Sequence, residues 1–311
     1  MSRYDPTRQK LAANELVILD GGIGTEILRR NVSWADHQVM NLPDVIRSIH
    51  EDYIKAGAEV ITTNTFQLSR RSLLNHFKDL DHARHIGARD LESRADTLLR
   101  AAVELAVEAR DRVGADSAVA IAGSITTLEW CFRPDLAPST DRARQEYRDI
   151  VGTMAESGVD LILLETLNSI PEAKVALQVV RDFALPAWVG FVCDDTGKLF
   201  SGETLAQAVT ELEPLEPDVI LLNCAPPDDI STGLHELTAH RSKPTGAFAH
   251  IGRFDPPEWL FTDEYPPAKY LEFARRWIGM GARVIGGCCG TTPEHIQALK
   301  TLRVEELGNR P

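Results

Sequence analysis

The sequence predicts an α/β fold, a single-domain (β/α)8 TIM barrel, and three observations carry that prediction. Eight short runs rich in β-branched residues and leucine alternate with eight helical stretches along the 311 residues. Glycine, cysteine and polar residues gather just after six of those runs, and a barrel collects the C-terminal ends of its strands on one face. No low-complexity linker, block of like charge or internal repeat divides the chain. One domain, 1–311 with a core at about 12–305, is therefore expected.

In chain order, the first strand, 16–20, is a buried apolar run stopped by Gly21-Gly22. A helix over 43–56 opens at Pro43, whose missing N–H costs nothing in a first turn, and closes at Gly57. Strand 59–63 ends at Thr63-Asn64-Thr65. Helix 91–113 leads to strand 118–122, followed by Gly123-Ser124. Helix 141–157 stops at Gly158, and strand 160–165 is near-continuous aliphatic sequence up to Glu165. Helix 170–183, strand 187–193, helix 204–212 and strand 218–223 come next, the last leading into Asn223-Cys224. Helix 230–239, strand 246–249, helix 268–280 and strand 283–286 complete the alternation, with Gly281 before the last strand and Gly287-Cys288-Cys289 after it. Thr292-Pro293-Glu294 opens a final helix over 292–303, an N-cap followed by a first-turn proline. Gly57, Gly158 and Gly281 are natural left-handed helix caps.

A 43% hydrophobic and 25% charged composition is ordinary for a soluble globular chain. The net charge of −13 argues against nucleic acid or an anionic membrane as partner, since both need basic patches. No run is long enough to span a bilayer and residues 1–10 lack an apolar signal core, so a cytoplasmic protein is expected. In that reducing compartment the five cysteines suggest metal or catalytic use over disulfides.

Three of them stand out. Cys288 and Cys289 are adjacent and flanked by glycines, and Cys224 ends another strand-like run. Neighbours on a regular strand point to opposite faces, so both can ligate one ion only where the strand breaks into a turn. Gly286, Gly287 and Gly290 permit that break. If the two strands are neighbours, three thiolates meet around one open position, which suits a catalytic Zn2+ that activates a substrate thiol. Cys131 and Cys193 read as ordinary buried thiols. Glu165 and Asp20, at strand ends, are either carboxylates paired with a neighbouring arginine or holders of a substrate ammonium group. Gly21 and Gly22 either make a tight turn or expose N–H groups to a substrate carboxylate. Trp34, Phe66 and Trp130 lie near strand ends and offer either packing or an aromatic face for a methylated cation. His250 and Arg253 follow a strand and reach either substrate or the rim.

The stretch Asp20-Gly21-Gly22-Ile23-Gly24-Thr25-Glu26, residues 57–66, the pair Asn223-Cys224, and Gly286-Gly287-Cys288-Cys289-Gly290-Thr291-Thr292-Pro293 resemble the homocysteine S-methyltransferase family. The resemblance implies a zinc-dependent barrel that moves a methyl group from a small sulfonium or quaternary ammonium donor onto the thiol of homocysteine, giving methionine. It implies Cys224, Cys288 and Cys289 as Zn2+ ligands and Asp20, Gly21, Gly22, Thr63 and Glu165 as the residues around the amino acid part of homocysteine. Trp34 falls in the segment that helps form the donor pocket in the betaine-using branch. The donor side departs from the family pattern. Here Ile125 is followed by Thr126-Thr127, Glu165-Thr166 by Leu167-Asn168, and the seventh strand by His250-Ile251-Gly252-Arg253. The donor is left open among S-methylmethionine, S-adenosylmethionine, betaine and dimethylsulfoniopropionate, and so is subunit number. Three alternatives stand beside this reading: a family methyltransferase or demethylase with another thiol or selenol acceptor or a specialised methylated donor; a barrel lyase or aldolase, for which no lysine in the expected strands is placed as a Schiff base; and a non-catalytic zinc-binding barrel, which would carry four protein ligands.

Overall fold

The computed structural model describes residues 2–32, 39–75, 78–85, 90–255 and 258–308. The chain begins with helix α1 (Asp5–Ala12), strand β1 (Val17–Ile18), helices α2 (Ile23–Arg29) and α3 (Pro43–Ala56), and strand β2 (Val60–Thr62). Helices α4 (Arg70–Leu74), α5 (Leu80–His85) and α6 (Leu91–Arg112) lead to β3 (Ala120–Ile125), then α7 (Thr140–Ser157) and β4 (Leu161–Leu167). The alternation continues through α8 (Ile170–Asp182), β5 (Ala187–Phe191), α9 (Leu205–Leu212), β6 (Val219–Asn223), α10 (Pro227–His240) and β7 (Thr245–Phe248). A hairpin of β8 (Arg253–Asp255) and β9 (Glu258–Leu260) precedes α11 (Pro267–Gly279), β10 (Ala282–Ile285) and α12 (Pro293–Gly308).

Eight strands pair in parallel in the order β1-β10-β7-β6-β5-β4-β3-β2. A parallel bridge between Leu19 and Val60 joins the two ends of that sheet and closes the barrel. The predicted (β/α)8 architecture is the one observed.

Strand periodicity sorts the aliphatics into two cores. Val17, Leu19, Val60, Leu163, Leu221 and Val284 point inward and pack together inside the barrel. Their sequence neighbours Ile18, Ile61, Leu164, Ile220, Leu222 and Ile285 point outward and pack with the helices. Gly57 and Gly158 cap α3 and α7 in the left-handed region, at φ 117° and 89°, so each helix turns directly into the next strand.

Several boundaries differ from the expected ones. Strand β3 lies two to three residues later than predicted, so Gly123 and Ser124 are inside it, paired with Ile162 and Leu163. Gly123 is needed there because a Cβ would lie 2.8 Å from the Met154 sulfur. Strand β4 extends past Glu165 to Leu167. The packed core also begins before residue 12. Tyr4 is fully buried inside the barrel, and its hydroxyl accepts the Trp188 indole N–H at 2.8 Å. Helix α1 thus plugs the N-terminal end of the barrel. The hairpin β8–β9 was not expected, because its residues alternate weakly and are largely exposed. No helix among the described residues is long and apolar enough to cross a membrane.

Candidate metal and substrate site

Strand β7 lies between β6 and β10, so the cysteine-bearing strands are not neighbours, as the sequence had suggested they would be if they met. Their thiols converge across the end of β7. Four consecutive residues there join the two cysteine turns. The Phe248 carbonyl accepts the Cys224 N–H at 3.3 Å and the Ala249 carbonyl accepts the Cys288 N–H at 2.9 Å. The His250 N–H donates to the Ala225 carbonyl at 3.1 Å, and the Ile251 N–H to the Cys289 carbonyl at 2.8 Å. The buried Tyr270 hydroxyl, bonded to Ala249 N–H at 3.1 Å and donating to the Gly286 carbonyl at 2.8 Å, locks β7 to the second turn.

Gly290 makes the sharp turn after Cys289 feasible. Its φ is 85°, and a Cβ there would sit 1.9 Å from the Ile251 carbonyl oxygen. Cys224 itself takes a left-handed φ of 55°, a strained conformation that the surrounding bonds maintain.

The sulfurs of Cys224, Cys288 and Cys289 all lie within 4.8 Å of one another. None of the five cysteines is in a disulfide. Hydrogen bonding to Cys288 and Cys289, with burial, holds the Cys224 thiol well above its ordinary value. Hydrogen bonds from Cys224 and Cys288 hold Cys289 well below its ordinary value. Three soft donors, two buried and Cys289 half-buried, gathered at one point match a zinc-type cation. Among the described residues no histidine or carboxylate joins the group.

Two carboxylates share this mouth. Asp20 is 1% exposed and accepts the Thr62 N–H at 2.7 Å and the Thr62 hydroxyl at 3.1 Å. Burial pushes it well above the usual carboxylate range, Thr62 opposes this, and the charge of Glu165 adds to it. Burial raises Glu165 to about 7, against the hydroxyl of Ser124, which donates to Oε1. No lysine or arginine of the described residues is among the main influences on either group, so the arginine-paired alternative is set aside. A buried carboxyl with no cation beside it is costly to ionise, which is why both are raised, and a cationic ligand would lower that cost.

Gly21 and Gly22 pack against the second cysteine turn. A Cβ on Gly21 would lie 2.8 Å from Thr291 Oγ1, and one on Gly22 2.7 Å from the Cys288 carbonyl oxygen. The Gly22 N–H donates to Thr291 Oγ1 at 3.3 Å. Gly22 therefore serves a close approach of backbones, and Gly21 makes room for the Thr291 and Tyr53 side chains. Thr63 is buried; its Oγ1 accepts the Ser124 N–H at 3.0 Å and lies 2.7 Å from Thr65 Oγ1, which tethers β3 to the loop after β2. Trp34 lies outside the described residues. Trp130 and Arg253 stand exposed on the rim, Arg253 within 3.6 Å of Asp255. Phe66 is half-buried. His250 is half-buried with its ring edge-on to Trp259 at 5.5 Å, close enough to Cys289 for the two charges to interact. Cys131, expected as a plain core thiol, is buried at the same mouth, where burial raises it to about 12 and both Cys289 and Glu165 act on it.

Sequence reasoning placed Ser124 and Asn223 at strand ends without giving either a task. Their signal was a small polar residue interrupting an otherwise apolar strand. In the structure both bond to Glu165.

The sequence profile of the family described as Homocysteine S-methyltransferase matches residues 17–302. The chain belongs to the homocysteine S-methyltransferase family. Homocysteine S-methyltransferase YbgG of Bacillus subtilis is 28% identical to this methyltransferase, over 95% of this chain and 96% of the relative. Selenocysteine Se-methyltransferase of Brassica oleracea is 26% identical, over 91% and 87%. The metallated form of the homocysteine methyltransferase MmuM from Escherichia coli superposes with a TM-score of 0.80, covering 96% of this chain and 99% of that one at 24% identity. That likeness establishes the shared barrel fold.

Proposed function

We propose that this methyltransferase moves a methyl group from a small sulfonium or quaternary ammonium donor to the thiol of homocysteine, giving methionine. Cys224, Cys288 and Cys289 are the proposed ligands of a Zn2+ ion. Supporting this is one juxtaposition: three converging sulfurs beside two buried carboxylates that no protein cation neutralises. An α-amino thiol carries the matching groups, a sulfur for the open position and an ammonium for the carboxylates.

A bound zinc ion would hold the acceptor thiol in its thiolate form near neutral pH. Glu165, held by Ser124, and Asp20, held by Thr62, would receive the ammonium group. Anchoring the acceptor at both ends fixes the line along which sulfur meets the methyl carbon. Thiolate and cationic donor neutralise each other in that step, so exclusion of water from the mouth favours it. Five unpaired cysteines support a reducing, cytoplasmic setting. A selenol acceptor in place of homocysteine is tested with the same donors, scored as its own methylated selenide.

The test is turnover by zinc-loaded protein with homocysteine and a panel of methylated donors, scored as methionine formed. Replacing Cys288 (Cys288→Ala) is expected to lower bound zinc and abolish turnover. Undiminished zinc together with full activity in that variant removes the proposed centre.

A further inference from the structure

Strand β4 is irregular where it meets the site. Leu164 pairs with Val189 but Leu167 with Phe191, so three steps on β4 face two on β5. The surplus residue falls at Glu165-Thr166, and Thr166 takes a left-handed φ of 56°. Bulges of this kind re-aim side chains, and here the re-aimed side chain is Glu165. A left-handed threonine is unfavourable by about 1–2 kcal/mol, so it persists only where the surroundings hold it.

Asn223 holds it. Its Oδ1 accepts the Thr166 N–H at 2.9 Å, and its Nδ2 donates to Thr166 Oγ1 at 2.8 Å and to Glu165 Oε2 at 3.5 Å. The side chain reaches β4 from β6, passing over β5, because Gly190 leaves the space. A Cβ on Gly190 would lie 2.8 Å from Asn223 Oδ1 and 3.5 Å from the Glu165 Cα. Asn223 is fully buried, and the next residue is Cys224. One amide therefore connects the bulge that carries the carboxylate with the turn that carries the first thiol.

We propose that Asn223 is a positioning residue that fixes the separation between the Glu165 carboxylate and the Cys224 sulfur, and so sets the length of amino-acid thiol the site accepts. This rests on the reading of Glu165 as the ammonium holder and of the cysteine trio as the sulfur end. An acceptor tethered at both ends spans a fixed number of bonds, and homocysteine is one methylene longer than cysteine. A carboxylate released from its bulge swings and loses that discrimination.

The experiment compares zinc-loaded wild type with Asn223→Ala, Asn223→Asp and Gly190→Ala. Zinc content, calorimetric affinity for homocysteine and for cysteine, and KM and kcat with homocysteine are measured. Asn223→Asp keeps an acceptor for the Thr166 N–H but sets an oxygen against Glu165; it carries the test should Asn223→Ala not fold. The expected result is unchanged zinc content, a KM for homocysteine raised roughly ten- to a hundredfold, a smaller change in kcat, and a fallen ratio of homocysteine to cysteine affinity. Unaltered affinity and selectivity in folded variants overturn the proposal, as does loss of both ligands in step with zinc, the mark of a merely structural role. Wild-type protein that binds no homocysteine overturns the underlying reading of the site, and that result is distinct from either.

Discussion

Glu165 concentrates the physics of the site in one side chain. It is 9% exposed and raised to about 7 by burial, and it is held by Ser124 and Asn223, with no cation from the described chain beside it. Such a carboxylate gains most from a ligand that brings the missing charge. Replacing it (Glu165→Ala) should weaken homocysteine affinity on the order of a hundredfold while bound zinc stays at the wild-type level. Calorimetry on zinc-loaded protein decides it, and unchanged affinity would count against the ammonium role. The cysteines and Glu165 were legible as candidates because each breaks an apolar run at its end. The cation-free pairing of Glu165 with Asp20 was not, because which arginines reach a strand end depends on helices packed far away in sequence.

Among elements, α1 and the end of β7 contribute most beyond what local pattern suggests. Helix α1 has a short polar sequence with little amphipathic character, yet Tyr4 just before it fills the base of the barrel and meets Trp188 edge-on at 6.4 Å. Replacing Tyr4 by phenylalanine (Tyr4→Phe) keeps the ring but leaves the buried Trp188 N–H without its acceptor. That should lower stability by about 1–3 kcal/mol and leave kcat unchanged, since Tyr4 lies at the opposite end of the barrel from the cysteines. Urea unfolding followed by tryptophan fluorescence and a parallel assay check both parts. The eight strands were legible because a parallel barrel strand is buried on both faces and reads as an unbroken aliphatic run. Their ends were less so. The end of β3 continues through Gly123-Ser124, which pairing with β4 keeps extended, and β4 continues past a bulge at Glu165-Thr166 to Leu167, which pairs with Phe191. The role of residues 248–251 in drawing the cysteine turns together follows from strand order alone, which no local pattern encodes.

For the whole molecule, one buried group makes stability depend on pH away from the active site. His50 on α3 is fully buried, neither ring nitrogen has a hydrogen-bond partner among the described residues, and burial lowers it from 6.5 to about 4. The unfolded chain therefore binds the extra proton first. Stability should be full above about pH 6.5, fall as pH drops from there to about 4, and then level off, for a total loss of about 3 kcal/mol. The variant His50→Leu, similar in volume and free of unpaired nitrogens, should remove that part of the pH dependence and raise stability at pH 7. Denaturant midpoints between pH 7 and 4.5 test this, and a wild-type profile identical to that of His50→Leu would exclude it.

The sequence by itself determined the barrel, the face on which chemistry gathers, the identity of the three cysteines and the family, because alternation of apolar runs and residue type at strand ends are local properties of the chain. Tertiary structure alone decided that the sulfurs meet across an intervening strand, that the mouth carboxylates lack a protein cation, and that a bulge on β4 is tied to the turn after β6. Those facts depend on closure of the sheet, which brings residues more than 200 positions apart, such as Gly22 and Cys288, into contact.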